Sequence, residues 1–119
     1  MENILHLPLK TEWYNLIESG IKTEEYREIK PYWIKRLCTK ETLSKLNIDS
    51  ISNDINTLVN LYSMNILQLK NFNKVKFTYG YTKKSMTFEV VNITIGKGKI
   101  EWGAMDDILF IIKLGNRVD

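Results

Sequence analysis

The sequence predicts an α+β fold, a small barrel-like sheet with flanking helices and one helical insert. Alternating apolar residues open the chain at Leu5, Leu7 and Leu9 and return at Val75, Phe77, Tyr79 and Tyr81, the period of half-buried strands. Helical spacing is confined to the earlier part of the chain, and the last third is β-rich. Strands gathered late behind early helices favour a barrel-like α+β domain over repeated βαβ units.

The first strand ends near Pro8, which suits a strand edge because it has no N–H to donate. Thr11 is the expected cap of a short helix carrying Trp13, Leu16 and Ile17, with Gly20 at its C′ position. Residues 22–29 read as extended, and Pro31 stands at the first position of a second helix, Tyr32 to Leu37. Residues 39–72, rich in Ser, Thr, Asn and Leu, read as a helical insert. Ile55, Leu58, Val59, Tyr62 and Ile66 keep helical period there behind a Ser52 or Asp54 cap. A long strand is expected from Met86 to Ile95, with a bulge near Val90–Val91 where the apolar parity blurs. Gly96 and Gly98 punctuate the chain before Lys99 to Gly103. Ile108 to Leu114 is apolar on both faces except at Lys113, as in a strand covered on both sides.

The 119 residues fit one domain spanning 1–119, with no internal repeat. The single cysteine, Cys38, excludes an internal disulfide framework and fits a reducing compartment, with the cytoplasm as the default. The N-terminus lacks the pattern of a signal peptide, and no apolar run approaches the roughly 18–20 residues needed to cross a bilayer. A net charge of +3 is compatible with an anionic partner without requiring one. The lone His6 lies in a strand far in sequence from Cys38, so no Ser-His-Asp or Cys-His centre is expected, and one histidine with one cysteine argue against a soft-metal site. No P-loop or dinucleotide fingerprint is present, so no metal or cofactor is expected.

Chemistry concentrates in Gly20-Ile21-Lys22-Thr23-Glu24-Glu25-Tyr26-Arg27. Glu25 and Arg27 lie two apart in an extended segment and share a face, while Lys22 belongs to the turn that enters it. One acid and two bases can converge there, offering cations for a phosphate, a planar guanidinium, and a carboxylate that accepts from a nucleobase or moves a proton. The competing reading is an ordinary ion pair on a sheet surface. Tyr26 falls on the opposite face and reads as core or wall. Tyr32 and Trp33, near Lys30, Lys35 and Arg36, either stack on bases or simply pack. Trp102 as core and Glu101 at the pocket carry equal weight.

The segment matches Gly-x-Lys-x-x-Glu-x-Arg and resembles the ASCH domain family of the PUA-like superfamily. The likeness extends to Tyr26–Trp33 and to Ile95–Gly103, about 80 residues in all, and leaves the insert unmatched. It implies a PUA-like β-barrel with flanking helices, acting on or binding RNA or nucleosides, with the signature residues lining a cleft. In a branch that removes the acyl group from acetylated cytidine, a lysine, a threonine and a glutamate do the chemistry. Lys22 matches that lysine, but Glu25 stands at the threonine position, and Glu101 is the candidate for the glutamate. Another branch is reported to cleave RNA, and for that chemistry Lys22, Glu25 and Arg27 would serve as electrostatic stabiliser, base and phosphate clamp. The leading expectation is RNA or modified-nucleotide binding through Lys22, Glu25 and Arg27, with Tyr32, Trp33 and Trp102 as further ligand-binding residues. A hydrolase using Lys22, Glu25 and Glu101 is the alternative, and a protein partner docking on residues 39–72 is the third reading.

Overall fold

A computed structural model describes residues 3–119. Five strands form one curled, half-barrel sheet: β1 (Ile4–Leu9), β2 (Glu24–Glu28), β3 (Lys74–Tyr79), β4 (Ser85–Lys97) and β5 (Ile108–Arg117). Their order is β1-β3-β4-β5-β2, with β1 and β3 parallel and the other pairs antiparallel. β1 and β2 are therefore the two edges of the sheet, although they follow one another in sequence. Helix α1 (Thr11–Glu18) connects them, and α2 (Pro31–Leu37) follows β2 with proline in its first turn. The insert contains α3 (Lys40–Lys45), α4 (Ile48–Ser52) and α5 (Ile55–Ser63).

Alternation places Leu5, Leu7 and Leu9 of β1 inward, beside Val75 and Phe77, and Phe88, Phe110 and Ile112 continue the same face. Tyr14 and Ile17 of α1, Ile34 and Leu37 of α2, and Leu58 of α5 close over it. Burying side chains of this size contributes about 1.5–3 kcal/mol each, so this layer dominates the stability. β5 is covered on both faces: Leu109 and Ile111 pack with Tyr26, Ala104 and Trp102 in a second cluster. This two-sided burial explains the continuous apolar run of its sequence.

The insert leaves the end of α2 and returns beside it. The Thr39 N–H donates to the Gln68 carbonyl at 3.0 Å and the Lys70 N–H to Leu37 at 2.8 Å, with a bridge between Cys38 and Leu69. The side chains of Thr39, Asn47 and Asp54 cap its three helices.

Several sequence expectations need correction. Thr11 is the first helical residue of α1, and Lys10 holds the cap position without a side-chain bond. Asp54 rather than Ser52 caps α5, because Ser52 ends α4, and Ile66 lies beyond α5. Tyr81 is 98% exposed in the β3–β4 turn, where Gly80 has φ +57° and breaks the alternation. Gly96 lies inside β4, which runs on to Lys97. The bulge does occur, as register shifts on either side of Val90. Among the described residues no helix is long and apolar enough to cross a membrane.

Two buried acids couple the fold to pH. Burial pushes the Cys38 thiol up from 9.0 to about 11 and, as the largest cause, the Tyr26 hydroxyl up from 10.0 to about 12. Both are raised, so their stabilising contribution is complete below the unfolded values and is lost as pH rises through the folded ones. Urea unfolding across alkaline pH is expected to show stability falling from about pH 9 to about pH 12. Cys38→Ala is expected to remove the lower part of that decline. A flat profile between about pH 9 and 11 would mean that the thiol ionises in the folded state as it does in the unfolded chain.

Candidate functional site

Gly20, with φ +85°, turns the chain out of α1 into β2, and the Lys22 N–H donates to the Leu16 carbonyl at 3.0 Å. The β2–β5 register sets Glu25 opposite Ile112 and Arg27 opposite Phe110, both residues of the main core, while Tyr26 faces Ile111 of the second cluster. Strand parity therefore aims the acid and the guanidinium to the inside of the half-barrel.

There the three signature side chains form one ionic cluster. Lys22 Nζ lies 2.8 Å from Glu25 Oε1 and donates to the Trp102 carbonyl at 2.5 Å. It also stands 4.5 Å from the centroid of the Trp13 ring and 5.4 Å from that of Tyr26. Arg27 Nη1 binds the second oxygen, Glu25 Oε2. The side chains of Lys22 and Glu25 are 1% and 5% exposed, and that of Arg27 is 16% exposed. Removing these charges from water is costly, and the geometry offsets that cost by giving each carboxylate oxygen a cationic donor. Within this cluster two cations face one anion, and Glu28 adds a second carboxylate to the cleft lining.

Arg27 also links the two edge strands of the half-barrel. Nη1 donates to its neighbour's carbonyl at Tyr26, 2.8 Å away, and Nη2 reaches the Pro8 carbonyl of the opposite edge strand at 3.3 Å. The guanidinium lies 5.1 Å from the centroid of Trp33. Three of its five N–H groups are thus committed, and two have no hydrogen-bond partner among the described residues.

A cleft of about 390 Å³ opens over this cluster, between the two sheet edges. Pro8 and Leu9 of β1 form one side, and Glu25, Arg27 and Glu28 of β2 the other. Trp13 of α1 and Trp33 of α2 supply aromatic walls, and Lys10, Gly103 and Met105 also line it. Its volume falls in the range of small-molecule sites. The arrangement can hold a flat, hydrogen-bonding group against indole rings while Arg27 and Glu25 read its polar edge.

The structure brings Glu25, Arg27 and Trp33 together in the cleft and places Lys22 behind them, outside the lining. Trp102 contributes its backbone carbonyl, while its indole packs in the second cluster under the Lys99 ammonium, 4.2 Å away. Tyr32 stands outside the cleft, 62% exposed, edge-on to Trp33 and near Arg36. Glu101 is exposed on the 3₁₀ turn Ile100–Trp102 and does not line the cleft. Trp13 and Lys10 were missed as site residues: Trp13 carries the spacing of a core position, and Lys10 has no motif around it.

Gly103 fixes the Trp13 wall. Its φ is +96°, and a Cβ there would lie 2.9 Å from the Trp13 ring. Gly103→Ala is expected to cost about 1–3 kcal/mol and to displace that indole, seen as a lowered urea midpoint with altered tryptophan emission. A midpoint within about 0.5 kcal/mol of wild type would show that the turn is not under this constraint.

Comparison with family models, with curated proteins and with solved structures gives no match.

Proposed function

We propose that the chain is a nucleobase-binding domain of the ASCH type, with a PUA-like barrel, which receives a base from RNA or from a modified nucleotide in the cleft between β1 and β2. The carrying observation is the convergence of Arg27 and Glu25 at the floor of a cleft walled by Trp13 and Trp33. A base lies against the indoles, a contribution of about 1–3 kcal/mol for each stacked base. The free N–H groups of Arg27 meet a carbonyl, a ring nitrogen or a phosphate oxygen, and Glu25 accepts from an exocyclic amine. Lys10, exposed at the rim, neutralises the backbone phosphate. The Gly20-x-Lys22-x-x-Glu25-x-Arg27 signature supports the same reading.

Binding is favoured over hydrolysis by the position of Lys22. A catalytic amine must reach the reacting atom, whereas Lys22 is spent on Glu25 and the Trp102 carbonyl, behind the cleft lining.

End-labelled single-stranded RNA at low salt, run on native and denaturing gels, tests both readings. A mobility shift with intact RNA is expected. Lys10→Ala should weaken it and reduce the salt slope by about 0.7, the value for one phosphate contact on a single strand. Tryptophan quenching by free nucleotides, without an RNA shift, would assign the site to the free form. Cleavage abolished by Glu25→Gln would establish the hydrolase instead. The absence of any shift, of quenching and of cleavage would refute the nucleobase reading.

A further inference from the structure

We infer that the ligand continues past the first base into a second subsite walled by the helical insert, so that the domain holds at least two consecutive nucleotides. This rests on the nucleobase reading above and deepens it. A second cavity of about 190 Å³ neighbours the cleft, and Glu28, Met105 and Leu109 line both. Its far wall is Ser52 at the end of α4 and Ile55 at the start of α5. The insert otherwise contributes nothing to the site.

This wall is held in place. The insert is pinned at its base by the paired backbone of Leu37–Thr39 and Gln68–Lys70, and the Asp54 carboxylate fixes the start of α5 by accepting from the Thr57 N–H at 3.1 Å. A rigid wall loses little entropy on binding.

The lining chemistry selects what enters. Glu28 and Asp107 are acceptors only, so their part of the subsite disfavours a phosphate and suits ribose hydroxyls or base amines, while Ile55 and Ile108 offer an apolar face and Lys30 lines the same cavity. Lys30 supplies the cation for the linking phosphate. Its ammonium pairs with Glu28 at 3.1 Å, but both side chains are about half exposed or more, at 65% and 48%, so a ligand displaces that pair at little cost. The acidic and apolar half thus takes the nucleoside portion, and the lysine takes the phosphate behind it.

Calorimetric titration of the full chain with a nucleoside monophosphate and with a dinucleotide and trinucleotide of RNA tests the inference. The dinucleotide is expected to bind about 5- to 100-fold tighter than the monophosphate. Ser52→Trp, which fills the second subsite from a half-buried helix end, is expected to abolish that gain and leave monophosphate affinity unchanged. Ile55→Trp fills it from the other side of the wall and replaces Ser52→Trp should that variant not fold. Equal affinities at all lengths, or a gain that survives the filled subsite, would overturn the second subsite and leave the nucleobase reading intact. Absence of binding by every ligand, the monophosphate included, would overturn both.

Discussion

Lys22→Met is expected to destabilise the domain by about 3–5 kcal/mol, a large part of what a fold of this size possesses. The substitution keeps most of the side-chain volume and removes only the ammonium, so packing loss is small. What it leaves behind is costly: the Glu25 carboxylate, 5% exposed, loses the partner of one oxygen, and the Trp102 carbonyl loses its donor. An uncompensated buried charge and an orphaned acceptor are among the few causes of losses this large. The cation over the Trp13 ring is lost as well. Urea unfolding followed by circular dichroism checks the value. Lys99→Met is the matched control, because that lysine is exposed over Trp102 and should cost about 0.5–1 kcal/mol. Adding Glu25→Gln to Lys22→Met should recover part of the loss, since the unpaired charge is then gone. A Lys22→Met variant as stable as the control would mean that the ion pair is not the buried element its geometry describes.

The expected loss also bears on how function is tested. Lys22 belongs to the same motif as Arg27, yet loss of RNA binding by a Lys22 variant does not distinguish a lost contact from a lost fold. Arg27, Lys10 and the insert wall are the positions where binding can be separated from folding.

What the sequence made legible was local. Leu5, Leu7 and Leu9 carry the parity of β1, Pro31 marks the start of α2, and the blurred alternation near Val90 marks a bulge, because each signal needs only its neighbours. The shared face of Glu25 and Arg27 was legible for the same reason. The rest depended on contacts distant in the chain. Lys22 becomes a buried pillar through the Trp102 carbonyl, 80 residues away, which no local pattern announces. Trp13 follows core spacing, and it becomes a cleft wall only because α1 spans the gap between the two edge strands. At Glu101 and Trp102 a 3₁₀ turn, rather than strand parity, decides which neighbour faces the solvent. The acid therefore points out, and the tryptophan offers its backbone.

Arg27→Lys is expected to weaken nucleotide binding by about 10- to 100-fold while the fold survives. The positive charge is retained, so long-range attraction of an anionic ligand changes little, and the loss isolates the geometry of the guanidinium. An arginine presents a planar fork that can bind Glu25, the Tyr26 and Pro8 carbonyls and a ligand at once, while stacking near Trp33. A lysine has three donors on one nitrogen and no planar face. It can keep Glu25 paired, which protects the fold, but it cannot span to β1 and also meet a base edge. Titration followed by tryptophan emission reads the change directly, because Trp13 and Trp33 line the cleft whereas Trp102 does not. The salt dependence should match that of wild type, since the charge count is preserved. Unchanged affinity would show that the site uses Arg27 only as a point charge. A steep loss of salt dependence would instead place the guanidinium on a phosphate and move base recognition to Glu25 and the indole walls.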